Sequence, residues 1–119
     1  MLRMLLPLAL AAAPAADRVP EATPTGPAVS CIPIAGIRET IVRSDAVIDF
    51  AMRGRQVYRV TLPQGCPGLG FERRFTYATS LSRLCRQDAI TVLSAAPVQR
   101  GASCGLAAFQ PVILEKRGR

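Results

Sequence analysis

The side chains able to do chemistry in this chain are four cysteines, eight carboxylates and fourteen arginines, with a single lysine and no histidine. Cys31, Cys66, Cys85 and Cys104 include no C-x-x-C pair, and without imidazole a zinc site lacks both of its usual ligand patterns. No base is available beside a thiol to raise its reactivity. An even cysteine count in a small exported domain reads instead as a disulfide framework, for which four cysteines allow three pairings. The expected pairing is Cys66 with Cys85, closing a local loop, and Cys31 with Cys104, tying the first strand of the domain to the last.

Without histidine, Ser-His-Asp and Cys-His arrangements are impossible, as is an imidazole metal site. Paired carboxylates could still do general acid and base chemistry, and Asp45, Asp49, Asp88, Glu39 and Glu72 are the candidates. Asp45 and Asp49 fall on the expected outer face of a strand among arginines. Asp88 stands where a turn enters a strand, a common place for a side chain to bond the local backbone. The run Gly65-Cys66-Pro67-Gly68-Leu69-Gly70 suits a turn better than a phosphate loop. With no nucleophile, base and orienting group to assemble, the chain reads as a non-enzyme that needs no cofactor.

The formal charge of +7 comes almost wholly from arginine. Arginine forks suit phosphate and carboxylate, and Arg53, Arg55 and Arg59 gather on one predicted hairpin, which makes them the anion-binding candidates. Arg73, Arg74, Arg83 and Arg86 follow later. The bland reading is that the charge keeps a small domain soluble.

Met1-Leu2-Arg3-Met4, an apolar run from Leu5 to Ala13 and the small-x-small tripeptide Ala13-Pro14-Ala15 have the order of a secretory signal. The run is too short to span a bilayer, which takes about 20 apolar residues. Residues 1–15 are therefore expected to be removed, with cleavage after Ala15 or next after Ala16. The loss of Arg3, its one charge, takes +7 to +6. Ala28-Val29-Ser30-Cys31 resembles a lipoprotein signal only faintly, since a polar Pro-rich stretch separates Cys31 from the apolar run. Residues 16–30 carry several prolines and little apolar bulk, so they read as a disordered linker. One β-rich domain, 31–114, and a basic tail, 115–119, complete the chain. Periplasmic or secreted placement follows, with an envelope protein or anionic surface as partner, no nucleic acid, and no integral membrane segment after cleavage.

Alternation sets the fold. Ala46, Ile48, Phe50 and Met52 share one strand face and Asp49 the other; after Arg53-Gly54-Arg55, the residues Tyr58, Val60 and Leu62 alternate in the same way. A β-hairpin is predicted that pairs Phe50 with Tyr58, Ile48 with Val60, Ala46 with Leu62 and Asp49 with Arg59. Further strands are expected at 32–38, 71–77, 89–93 and 106–114, with a rigid loop at 63–70 and one helical turn at 80–85. Phe71, Phe75 and Tyr77 are expected on a core face that also carries Arg73. The sum is a mostly β fold, a small antiparallel barrel or sandwich of five to six short strands, stabilised by disulfides.

Cys66-Pro67-Gly68-Leu69, Phe75-Thr76-Tyr77, Leu84-Cys85, Asp88-Ala89-Ile90-Thr91-Val92, Gly101 to Cys104 and Phe109-Gln110-Pro111 together resemble a family of small exported bacterial domains. The hairpin element Tyr58-Arg59-Val60-Thr61-Leu62 resembles the same family, so the similarity runs over most of the chain after Ser30. No established activity comes with it. The resemblance implies export and a cysteine framework, and it transfers no catalytic residue. The expected function is a non-catalytic exported structural or interaction module, or alternatively an arginine-rich module that binds envelope lipids or polyanions.

Overall fold

The computed structural model describes residues 19–79, 81–95 and 97–115, so the predicted signal at 1–15 and residues 116–119 of the basic tail lie outside it. The described chain is mostly antiparallel β. In chain order the strands are β1 (Ala22–Pro24), β2 (Cys31–Pro33), β3 (Ile37–Val42), β4 (Val47–Met52) and β5 (Val57–Thr61); a single helical turn, α1 (Leu69–Glu72); then β6 (Phe75–Tyr77), β7 (Arg83–Cys85), β8 (Ala89–Ala95), β9 (Val98–Gly105) and β10 (Gln110–Leu114). They form a five-stranded sheet in the order β1-β10-β5-β4-β3, a three-stranded sheet β6-β8-β9 and a two-stranded ribbon β2-β7.

The hairpin of β4 and β5 has the predicted register, with Phe50 opposite Tyr58, Ile48 opposite Val60 and Asp49 opposite Arg59. Ile48, Phe50 and Val60 enter a core that also takes Ile32 from β2, Leu84 from β7, Ile90 and Val92 from β8, and Phe109 from the approach to β10. The ring of Phe50 meets Phe109 edge-on at 5.6 Å and Phe75 at 6.5 Å. Such edge-to-face pairs add about 0.5 to 1.5 kcal/mol each beyond area burial. All three sheets thus share one apolar centre.

Several expectations change. Residues 16–30 were expected to be a disordered linker, yet β1 pairs with β10 as an edge strand and Val29 bridges Phe109. Proline is tolerated at a sheet edge, where its missing N–H disturbs no ladder, so Pro24 does not prevent pairing. The predicted strand 32–38 is broken by a 3-10 turn over Ile34–Gly36. The predicted helical turn at 80–85 is instead β7 over its described end, because Leu84 and Cys85 are buried against β2. The predicted strand 71–77 begins as α1 and extends only at β6. Four of the strands are just three residues long, too short for alternation to mark.

The disulfide pairing also differs from the expected one. Cys31 bonds Cys85 and Cys66 bonds Cys104. Sequence distance suggested the local closure of 66 with 85, but β2 and β7 pair so that Cys31 lies directly opposite Cys85. Cys66, tied by its N–H to the Asp45 carbonyl, is left facing Cys104 on β9. Two disulfides mark a protein of an oxidising compartment. Among the described residues no helix is long and apolar enough to cross a membrane.

Candidate functional site

Asp49 is the natural place to begin, because it is a carboxylate with 0 % exposure on the sheet face expected to meet solvent. Arg59, its cross-strand partner, donates from Nε to Asp49 Oδ1 at 2.8 Å and from Nη2 to Oδ2 at 2.9 Å. Arg43, just past β3, donates from Nε to Oδ2 at 2.8 Å. Arg59 Nη1 reaches on to the carbonyl of Pro20 at 2.9 Å, which holds the segment leading into β1 across this face. The side chains of Arg43 and Arg59 retain only 22 % and 14 % exposure. Charge-assisted bonds on both oxygens saturate the carboxylate, so this cluster is a structural clasp. Of the predicted anion-binding set, Arg59 is thereby committed inside the fold and is corrected out of it.

Arg53 and Arg55 remain. Both are exposed on the tight turn Arg53–Arg55 that closes the hairpin. The turn takes left-handed backbone at Gly54, φ 83°, and at Arg55, φ 72°. A non-glycine residue pays a steric penalty there, and arginine keeps the position even so. The neighbouring β3 contributes Arg38, which is mostly exposed and 3.5 Å from Glu39.

The other candidate carboxylates lie at different places in the fold. Asp88 Oδ2 accepts the Cys85 N–H at 2.7 Å, the local backbone bond expected of it. Asp45 Oδ1 accepts the Gly70 N–H at 2.7 Å across a sequence gap of 25. Glu39 lies on β3 and Glu72 ends α1.

At the open end of the hairpin, Arg43, Ser44, Asp45, Ala46, Gly70, Phe71 and Arg73 line a groove of ≈ 550 Å³. Phe71 is 86 % exposed, where the sequence placed it on a core face with Phe75 and Tyr77. Period-two alternation does not carry through α1: Leu69 is buried, so Phe71, two positions on, points away from the core. Arg73 closes the turn at φ 58°, donating its N–H to the Leu69 carbonyl at 2.7 Å. The clue in the sequence is the pair of glycines Gly68 and Gly70 around Leu69. Gly68 caps α1 at φ 86°, and a Cβ on Gly70 would lie 3.0 Å from the Asp45 backbone nitrogen, so a side chain there requires the Asp45 backbone to shift by a few tenths of an ångström. Gly70→Ala is therefore expected to destabilise by about 1 to 3 kcal/mol as an overpacking change, read as a lower urea midpoint.

No family model matches the chain, and no curated protein or solved structure matches it either.

Proposed function

We propose that this protein is a non-catalytic module exported to the periplasm or beyond the cell, where it binds another component of the envelope rather than transforming a substrate. The observation that carries the reading is the fate of the charges. Asp45, Asp49 and Asp88 are each held in hydrogen bonds that build the fold, while Arg53, Arg55, Arg73 and Arg74 stand exposed. Two disulfides across a β core suit a rigid scaffold that presents a surface in an oxidising compartment. The test is immobilised protein with its disulfides intact: it should retain one envelope protein that excess free module competes off. Reproducible turnover of a substrate, lost in an Asp88→Asn variant that still folds, would overturn the reading.

The hairpin tip favours a second reading, in which Arg53 and Arg55 engage a polyanion or lipid headgroups. Arginine forks pair bidentately with phosphate and carboxylate, and exposed contacts of this kind weaken with salt. Replacing both residues with glutamine should lower the salt needed to elute the protein from heparin, with the thermal midpoint unchanged. An unchanged elution position would remove the tip from the binding surface.

A further inference from the structure

We infer that the outer face of β6, β8 and β9 binds a uronic acid unit of an anionic saccharide, with Arg100 on the carboxylate and Thr76, Thr91 and Ser103 on the ring hydroxyls. The inference rests on the reading of an exported binding module, and it names a ligand class at a place apart from the hairpin tip.

The face is built by strand register. Thr76 on β6 lies opposite Thr91 on β8, and Thr91 lies opposite Ser103 on β9, so three hydroxyl residues form a row across the sheet. Ile90 and Val92, on either side of Thr91, are buried in the core, which turns the row outward. Arg100 joins this face through an irregularity in β9. Thr91 pairs with Ser103 but Leu93 pairs with Arg100, so Gly101 and Ala102 together oppose Val92. On a regular strand, residues three apart point to opposite faces. The extra residue of the bulge brings Arg100 back to the side of Ser103, and re-aiming a side chain is a recurrent use of bulges. The same face holds a depression of ≈ 370 Å³ lined by Thr76, Tyr77, Ala78, Ala89, Thr91 and Arg100. That volume admits a sugar unit, since small-molecule sites start at about 300 Å³.

Charge and hydrogen bonding select the occupant. Among the described residues Arg100 makes no ion pair, and it is the one charged side chain lining the depression. Asp88, next to Ala89 in the chain, is turned back onto the Cys85 N–H at 2.7 Å. One guanidinium balances one negative charge, that of a carboxylate, which it meets with two parallel bonds. The Thr91 and Ser103 hydroxyl oxygens lie 2.8 Å apart. The bond between them uses one hydrogen, so the other hydrogen and the spare lone pairs stay available to a ligand. Groups that both donate and accept match the hydroxyls of a sugar ring. A simple anion would use Arg100 and leave the hydroxyl row in water.

The test is a titration of isotope-labelled protein, disulfides intact, with digalacturonate, followed through the backbone amide signals. Those of Thr91, Arg100 and Ser103 should shift, and neutral galactobiose, acetate and inorganic phosphate should each bind more weakly by about tenfold or more. Arg100→Gln should weaken digalacturonate binding by about tenfold or more and Thr91→Val by about threefold, the losses of a charged and a neutral hydrogen bond. Ala89→Leu should block the site by filling the floor of the depression, and all three variants should keep the parent thermal midpoint because none of these side chains is in the core. Equal binding of galactobiose would remove the carboxylate from recognition, and equal binding of acetate or phosphate would remove the saccharide; either result overturns the inference. So does Arg100→Gln or Ala89→Leu protein that binds like the parent, a set of shifts confined to Arg53 and Arg55, or no shift at all. None of these results alters the capture of an envelope protein, so the inference fails separately from the reading beneath it.

Discussion

Asp49→Ala is expected to cost about 3 kcal/mol of unfolding free energy, near the lower end of what breaking a buried ion pair costs. The carboxylate is the common acceptor of two guanidinium groups, and its loss leaves both largely desolvated without a counter-charge. Their residual exposure, 22 % and 14 %, lets water relieve part of the penalty, which keeps the figure from rising further. Asp49→Asn should fare little better, since its amide nitrogen would turn a donor toward a donor. Domains of this size hold only about 5 to 15 kcal/mol in total, so the variant should melt far below the parent. Urea titration is the measurement, with the midpoint falling and the slope unchanged. Replacing Arg43, Asp49 and Arg59 together with apolar residues of similar volume should recover most of the loss, because an intact buried ion cluster is seldom more stabilising than good packing. A loss below about 1 kcal/mol for Asp49→Ala would mean that the clasp is dispensable.

That residue also shows how far the sequence could be read. Its strand and face followed from alternation, because a hairpin is local and one residue of slip would drive an arginine into the core; its partner Arg59 followed only on a three-residue turn, since a slip by two keeps the faces matched. Its burial did not follow. The face opposite Ile48 and Phe50 looks polar along the chain, and what closes it arrives from afar: Arg43 from the end of β3, and Pro20 from a segment whose composition suggested a tether. A proline-rich stretch cannot order itself, but it can be ordered by a sheet edge that needs a partner, which β10 supplies. Asp88 was legible for the opposite reason, its bond to Cys85 spanning three residues.

The candidate site divides in the same way. Arg53 and Arg55 were visible as the turn of a predicted hairpin, and the fold leaves them exposed. Phe71 was not, because seven residues from Phe71 to Tyr77 alternate well enough to pass for one strand. The interruption is a four-residue helical turn, shorter than any periodicity can register, fixed by a hydrogen bond from Gly70 to Asp45 that no local pattern foretells. The short strands β2 and β7 escaped for a related reason. Each is stable only against the other, and that pairing joins residues more than fifty positions apart.

The pairing of β2 with β7 leads to the second large effect, that of the disulfides. Cys31–Cys85 closes a separation of 54 residues and Cys66–Cys104 one of 38. On the chain-entropy model each contributes about 4 kcal/mol, the longer slightly more. The loops interleave, since Cys66 lies within the first and Cys85 within the second, so once one bond is made the other closes a shorter effective loop. The two contributions should therefore sum to less than twice either. Cys66→Ala with Cys104→Ala is expected to lower stability by about 4 kcal/mol, and full reduction to unfold the domain at ambient temperature, followed by circular dichroism with and without reductant. Tryptic digestion without reduction tests the connectivity directly. Residues 19–38 should travel linked to 84–86, and residues 60–73 linked to 101–116. The linkage 60–73 to 84–86 would restore the local pairing that sequence distance suggests, and it would separate Cys31 from the strand opposite it. In that case the ribbon that carries Ile32 and Leu84 into the core would lose its covalent tie. The β2–β7 register, which places Cys31 opposite Cys85, is thus tested by a digest of the oxidised protein.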